Sequence, residues 1–476
     1  MLRIKLGFAG VLLAIFGLAA CGGGGASAGS PGGSGNGSAY SAPMMVSAGD
    51  APLSNVITAD VTVSSVSLTN SAGQQIQVMS KPQTIELASL VGVRQPLHLG
   101  NVPGGTYNAV TVTVTGASIV YIDPTTGAAV SANATIQNGT VSVALNPTLT
   151  VDSDDGLQLH IDFNLAQSLS ISGSSVIFTP AIRAAWGKVK DLSDVERHVR
   201  VVGSVTAVSA SSITVQAGSS NATWAFVVNN QTQFNAGLSI AQIQVGSVAL
   251  VRGTVRQDGG LVARHISSLL DGQVENQSEL AAVGVVASAT TDATGAVTSF
   301  EFAVRYGFGS GTFGDLLNVA VNSTTIYSVG DEAQSLGISA TAFNNAEIFP
   351  GQSLLLIGIY NGNNALTAQE LRLAGEGAHG TLAAAAQGSN PNYSFTLQLP
   401  AWSYLTLLEK LGTVGVTTNS NTEFGDQLNA DSFGSTPVGT PLTVRGYLLE
   451  SGSGQFSFYA SHLNQTEPPE QPENGS

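Results

Sequence analysis

Residues 245–255 read VGSVALVRGTV, and two later stretches repeat the pattern, PGQSLLLIGIY at 350–360 and VGTPLTVRGYL at 438–448. In each copy one glycine precedes an apolar run and a second stands seven residues later: Gly246 and Gly253, Gly351 and Gly358, Gly439 and Gly446. Such a pair suits a tightly coiled strand of a small barrel, where a side chain would collide or the backbone must take unusual dihedrals. Each block is preceded by a second shared passage: VRVVGSVTAVSASSITVQ (199–216), LAAVGVVASATTDATGAVTSFEFAV (280–304) and GAHGTLAAAAQGSNPNYSFTLQL (377–399). Between the two passages lie the polar segments NNQTQF, VNSTTI and NSNTEF, aligned on Thr232, Thr324 and Thr422, and each copy closes on Ala-x-x-aliphatic from Ala263, Ala368 or Ala460. A repeat of this length marks one supersecondary unit per copy. The three units span 199–270, 279–374 and 376–466, the last two lengthened by insertions at 305–317 and 400–411.

The residues before the repeats alternate with period two. The runs are ITADVTVSSVSLT (57–69), YNAVTVTVTGASIVYI (107–122), GTVSVALN (139–146), LQLHIDFN (157–164) and SLSISGSSVIFTPAI (168–182). Split by Asn-Gly, Thr-Gly and Pro-Gly-Gly turns, this alternation calls for an antiparallel β-sandwich over 44–187, with 188–198 as the linker to the first repeat. Only 10% of residues are charged and 56 are glycine, a composition of short strands and turns. The fold class is therefore all-β, a sandwich followed by three small barrels.

The chain opens MLRIK, and Leu6–Ala20 is uncharged, too short to span a bilayer and arranged like a secretory signal over 1–20. It ends Leu18-Ala19-Ala20-Cys21, which resembles the lipobox of bacterial lipoproteins, and Cys21 is the sole cysteine. The resemblance implies that Cys21 carries lipid, which makes the membrane a partner, and Gly22 rather than aspartate after it points to the outer membrane of the cell envelope. From 21 to 43 the chain is rich in glycine and serine and reads as a flexible tether. With no cysteine after Cys21, disulfides and thiolate metal sites are excluded from the remainder.

SAGDAPLSNV (47–56), LGNVPGGTYNAVTVTV (99–114) and LQLHIDFNLAQSLSI (157–171) together resemble the bacterial DUF4382 family, which implies a transthyretin-like β-sandwich and brings no catalytic residues. GSVTAVSASSITV, TQF and VGSVALVRGTV in the first repeat resemble the DUF5666 family, which implies an OB-like barrel. The second and third repeats are diverged copies.

Formal net charge is −15, and the one basic run, KVKDLSDVERHVR (188–200), is mixed with acids. Nucleic acid needs a positive footprint and aromatic platforms, so no nucleic-acid partner is expected. VDSDDG places Asp152, Asp154 and Asp155 together as a calcium candidate, but the spacing misses the EF-hand loop and lacks its distal glutamate, which leaves a solvated turn as the simpler reading. Asp162, among apolar neighbours, reads as a partner for backbone donors. His98, His160, His198, His265, His379 and His462 are scattered, without H-x-H, H-E-x-x-H or G-x-S-x-G, so no cofactor and no catalytic set are expected. His265 and His462 share one repeat position, held by Glu370 in the second copy, and read as exposed strand residues. AWSYLTLLEKLG (401–412) reads as a helix ended by Gly412 that plugs a barrel, with Trp402 and Tyr404 on it. The acidic, proline-rich tail at 467–476 reads as disordered.

These observations favour a non-catalytic binding or adhesion module on a lipid anchor, gaining avidity from repeated faces presented to a glycan or an envelope protein. A structural spacer without a specific ligand and a hydrolase are the alternatives.

Overall fold

In the computed structural model the second glycine of every pair presses on a neighbouring strand. A Cβ on Gly253, Gly358 or Gly446 would come closer than 3.0 Å to the carbonyl oxygen of Val262, Thr367 or Tyr459, a separation real Cβ atoms do not reach. The first glycine of each pair works differently: Gly246, Gly351 and Gly439 sit at φ of 92°, 90° and 88°, turning the chain into the strand from a region that side chains avoid. The structure describes residues 40–465 except 52–54, 91–92, 124, 174, 219, 221, 235–237, 271–278, 310–314, 402, 426–427 and 452–454. The signal segment, Cys21, most of the tether, Trp402 and the tail lie outside the described residues.

Each repeat closes a five-stranded barrel. In the first, His198–Ser209 pairs with Ser212–Ala217 and Val248–Val255, and the ring closes through a parallel pairing of Thr223–Val227 with Leu261–Leu270. The second repeats this with Glu279–Thr291, Val297–Gly309, Leu316–Ala320, Ser353–Gly362 and Ala365–Leu373, and the third with Glu376–Leu382, Asn392–Gln398, Thr413–Thr417, Pro441–Ser451 and Gln455–Gln465. The ring order, first strand to second to third to fifth to fourth and back, is that of an OB barrel.

A buried threonine fastens each barrel. Thr232, Thr325 and Thr422 donate to the carbonyls of Ala263, Ala368 and Ala460 at 2.8, 2.9 and 2.7 Å and accept from the backbone N–H of Asn229, Asn322 and Asn419. The middle member is Thr325, one residue beyond the Thr324 expected from alignment. Thr324 instead hydrogen-bonds the exposed Asn322 side chain.

The N-terminal sandwich has one sheet of Ile182–Lys188, Leu157–Asn164, Ser41–Ala51 and Gln95–Pro103, in that order, facing another built on Val56–Asn70 and Gly105–Ile122. Val46, Val61, Val112, Ile161 and Phe163 fill the space between them. Ser41–Ala51 runs parallel to Leu157–Asn164, the one parallel pairing in the first sheet, and it begins inside the segment read as tether. Alternation fails at Tyr121 and Ile122, where consecutive residues are all buried, because Val120 and Ile122 leave the sandwich core and enter that of the third barrel.

The modules share cores and do not stand apart as beads. Met45 of the sandwich packs in the first barrel, Val202 and Val248 of the first barrel pack with Tyr306 and Phe308 of the second, and Tyr447 and Leu449 of the third pack in the second. The helix Tyr404–Glu409 is shorter than its sequence pattern and ends on Lys410 in the left-handed conformation, ahead of Gly412. Its Tyr404 and Leu405 bury beside Phe349 of the second barrel, so it wedges between two barrels.

Two substitution sets check this account by urea denaturation of the full chain. Gly446→Ala, which drives a methyl into Tyr459, is expected to cost about 3 kcal/mol, and Gly439→Ala, which strains only the backbone, about 1 kcal/mol. Thr325→Val should cost about 1–3 kcal/mol and Thr324→Val clearly less. A Gly446→Ala protein as stable as wild type contradicts the barrel geometry.

Candidate functional site

The sandwich and all three barrels meet at one short turn. Gln83–Glu86 leads into a 3-10 turn, Leu87–Ser89, whose N-terminus is capped by the fully buried Glu86. One carboxylate oxygen of Glu86 accepts from the N–H of Ala59 at 2.9 Å and the other from that of Ser89 at 2.8 Å. Burial raises the pKa of Glu86 against the opposing pull of Arg305 and these donors.

Ser89 then receives one residue from each barrel. Arg200 Nη1 of the first donates to its carbonyl at 3.3 Å, Arg445 Nη1 of the third donates to the same oxygen at 3.1 Å, and its hydroxyl lies 2.6 Å from that of Tyr306 of the second. Two guanidinium groups thus converge on one oxygen. The main-chain N–H of Arg200 also bonds the carbonyl of Arg94, which ties the first barrel to the sandwich a second time.

Two cavities, ≈530 and ≈490 Å³, share Arg200, Arg252 and Arg445 in their walls. The smaller is walled by five arginines, Arg94, Arg200, Arg252, Arg264 and Arg445, against three carboxylates, Asp162, Asp194 and Glu423. The sign of the charge is therefore reversed here relative to a chain of net −15.

Most of these charges have partners. Arg252 pairs with Glu332 at 3.1 Å and Arg264 with Asp194 at 3.0 Å, and Glu423 contacts His462 at 3.5 Å. Arg94 donates to the carbonyl of Glu196. Arg200, 8% exposed, forms no ion pair among the described residues, and its Nε has no hydrogen-bond partner there. Burial, followed by repulsion from Arg252 and Arg305, lowers its pKa. Burial together with Arg200 and Arg252 pushes Arg445 down to about 9, still charged at neutral pH. Beside them, Arg305 Nη1 donates to both carboxylate oxygens of Glu376, at 3.0 and 2.7 Å, and Arg305 Nε donates to the carbonyl of Ile57 at 3.1 Å.

His160, His198, His265 and His462 line the smaller cavity. His265 and His462 are half-buried and face the site, not solvent as their shared strand position suggested. His265 lies opposite Arg252 in the strand register and His462 opposite Arg445, so the repeat delivers an Arg–His pair twice. The second repeat has Ile357 opposite Glu370 there and contributes no such pair. His265 Nε2 is 3.0 Å from Ser267 Oγ, and His462 Nε2 is 2.8 Å from Asn464 Nδ2.

The other candidate residues lie elsewhere. Asp152 and Asp155 are paired at 2.8 Å with Lys188 and Lys190, Asp154 is exposed, and the turn packs through Gly156 against the first barrel at Gln257. Among the described residues no group of three His, Cys, Asp or Glu side chains could hold a metal ion. Asp162 lines the smaller cavity near Arg94.

The histidines set a pH dependence. Burial first, then Arg94, pushes His160 down to about 3, and burial with Arg445 does the same to His379, which accepts from or donates to Thr443 at 2.9 Å. The unfolded chain takes up these protons near pH 6.5. Their stabilising contribution is thus complete above pH 6.5 and is lost as pH falls from 6.5 toward 3. The denaturation midpoint should decline steadily below pH 6.5, and His160→Gln or His379→Gln should flatten that decline. A wild-type midpoint constant between pH 7 and pH 4 contradicts the assignment.

The model of a domain of unknown function, DUF4382, matches residues 41–180, and that of another, DUF5666, matches residues 202–267. No curated protein matches the chain. Among solved structures, Ag(I)CusF is 16% identical over 15% of this chain and 96% of its own, with a TM-score of 0.13. The single-stranded DNA binding protein from Thermus aquaticus is 12% identical over 40% and 95%, with a TM-score of 0.17, and Drosophila Unr CSD456 is 10% identical over 56% and 98%, with a TM-score of 0.14. The sandwich is thus similar to DUF4382 and the first barrel to DUF5666 over those stretches.

Proposed function

We propose that this protein is a non-catalytic binding module of the cell envelope, anchored through lipid on Cys21, and that its ligand enters the central cavities and not the outer faces of the barrels. The observation that carries this reading is the convergence of four modules on Ser89 around walls rich in arginine and histidine. Binding sites favour such junctions, where several rigid elements each supply one polar group. A tethered adhesion array with independent barrel faces would have no use for shared cores, which hold the barrels in fixed relation.

The non-catalytic reading rests on the kind of groups gathered. Guanidinium groups bind and orient but hold their protons at neutral pH. The Ser267–His265 contact is the arrangement that a hydrolase would exploit.

Three measurements test the proposal. Palmitate labelling and membrane fractionation should mark the wild-type chain, and Cys21→Ser should be unlabelled and soluble. A thermal-shift screen of envelope glycans and small anions should yield a ligand whose stabilisation is lost on Arg252→Met but kept on substitution of an outer barrel residue such as Val227→Thr. Turnover of p-nitrophenyl acetate that Ser267→Ala abolishes would contradict the non-catalytic reading.

A further inference from the structure

We propose that the smaller central cavity is an oxyanion site, built to hold a compact ligand with two or more negative charges, a polycarboxylate or a phosphate ester, on Arg200 with Arg445 and Arg252 beside it. The inference rests on the central cavities being the ligand site and names the chemistry they select.

The geometry points to an anion in three ways. Arg200 is more than nine-tenths buried, yet it forms no ion pair among the described residues, and its Nε has no partner there. A buried charge without a counter-charge costs several kcal/mol, so the position is expensive unless something outside the chain neutralises it. Second, Arg200 and Arg445 meet on a single carbonyl, that of Ser89, which holds two guanidinium groups side by side. Third, the wall carries five guanidinium groups against three carboxylates, with Glu332, the partner of Arg252, outside it, inside a strongly acidic protein.

The kind of anion follows from the donors. Planar guanidinium forks match the paired oxygens of carboxylate and phosphate, whereas a halide would use neither the fork nor several of them. Arg200 and Arg252 are partners across adjacent strands, and Arg445 enters from the third barrel, so their donors approach from two sides. That arrangement suits a ligand presenting several oxygens in different directions. The cavity, ≈490 Å³, has room for a molecule of citrate or sugar-phosphate size. With an overall charge of −15 outside and a locally positive interior, the ligand should be small enough to leave the acidic surface behind.

The test is equilibrium dialysis of the full-length chain in detergent with radiolabelled citrate and, separately, inorganic phosphate, at constant ionic strength, with glucose as a neutral control. Saturable binding of citrate or phosphate is expected, weakened at least tenfold by Arg200→Met and unchanged by Arg256→Met, which removes an exposed arginine paired with Asp258. Whichever of the two binds identifies the oxyanion. Arg200→Lys should keep the charge but bind more weakly without the fork. Saturable glucose binding without anion binding would overturn the oxyanion assignment while leaving the central site intact. Anion binding that Arg200→Met leaves unchanged would overturn both.

Discussion

The sandwich and the three barrels meet around Ser89, whose carbonyl oxygen accepts from two arginines belonging to two different barrels. The turn that presents it is fixed by Glu86, a fully buried carboxylate that is tolerable only because it accepts from the N–H groups of Ala59 and Ser89. Glu86 holds the turn, the turn holds Ser89, and Ser89 sets where Arg200, Tyr306 and Arg445 can lie. The buried pair of Arg305 and Glu376 joins the second and third repeats at the same junction, with Arg305 Nε on Ile57 of the sandwich. Breaking one partner of such a pair leaves an uncompensated buried charge, so the polar centre and the shared apolar cores constrain the same set of module positions.

The barrels were legible in the sequence because their hardest constraint is steric and local. Gly253, Gly358 and Gly446 must be glycine where two strands nearly touch, and the seven-residue interval to Gly246, Gly351 and Gly439 follows from the turn that starts each strand. Period-two alternation likewise exposed the sandwich, since one face of each strand is wet. The slip from Thr325 to Thr324 has an equally simple cause: VNSTTI offers two threonines in a row, and only the carbonyl of Ala368 chooses between them. The helix at Tyr404–Glu409 was readable in kind but not in length, because its end is set by Lys410 taking a left-handed turn ahead of Gly412.

The site was hidden for the opposite reason. Its arginines are dispersed from Arg94 to Arg445, and only Arg200 falls in the one basic run, where acids are mixed with it. A signal was nonetheless present: Val-Arg-Gly occurs in the first and third repeats with a histidine at the matching position of the next strand, His265 and His462. Read in one barrel, that residue faces outward. Only the packing of one barrel on another turns an outward face into the wall of a cavity. The same packing explains why the run at 120–122 is buried on both sides, a pattern that alternation alone assigns to neither face. Repetition here serves to surround a point with similar walls.

The central claim is that the arginines gathered about Arg200 bind an anion. The most direct measurement is an anomalous difference map from crystals grown with selenate, a tetrahedral oxyanion that scatters strongly at the selenium edge. The account expects a peak within hydrogen-bonding distance of Arg200, shared with Arg445 or Arg252. A well-ordered cavity holding only water at Arg200, with selenate bound at surface lysines alone, would contradict it.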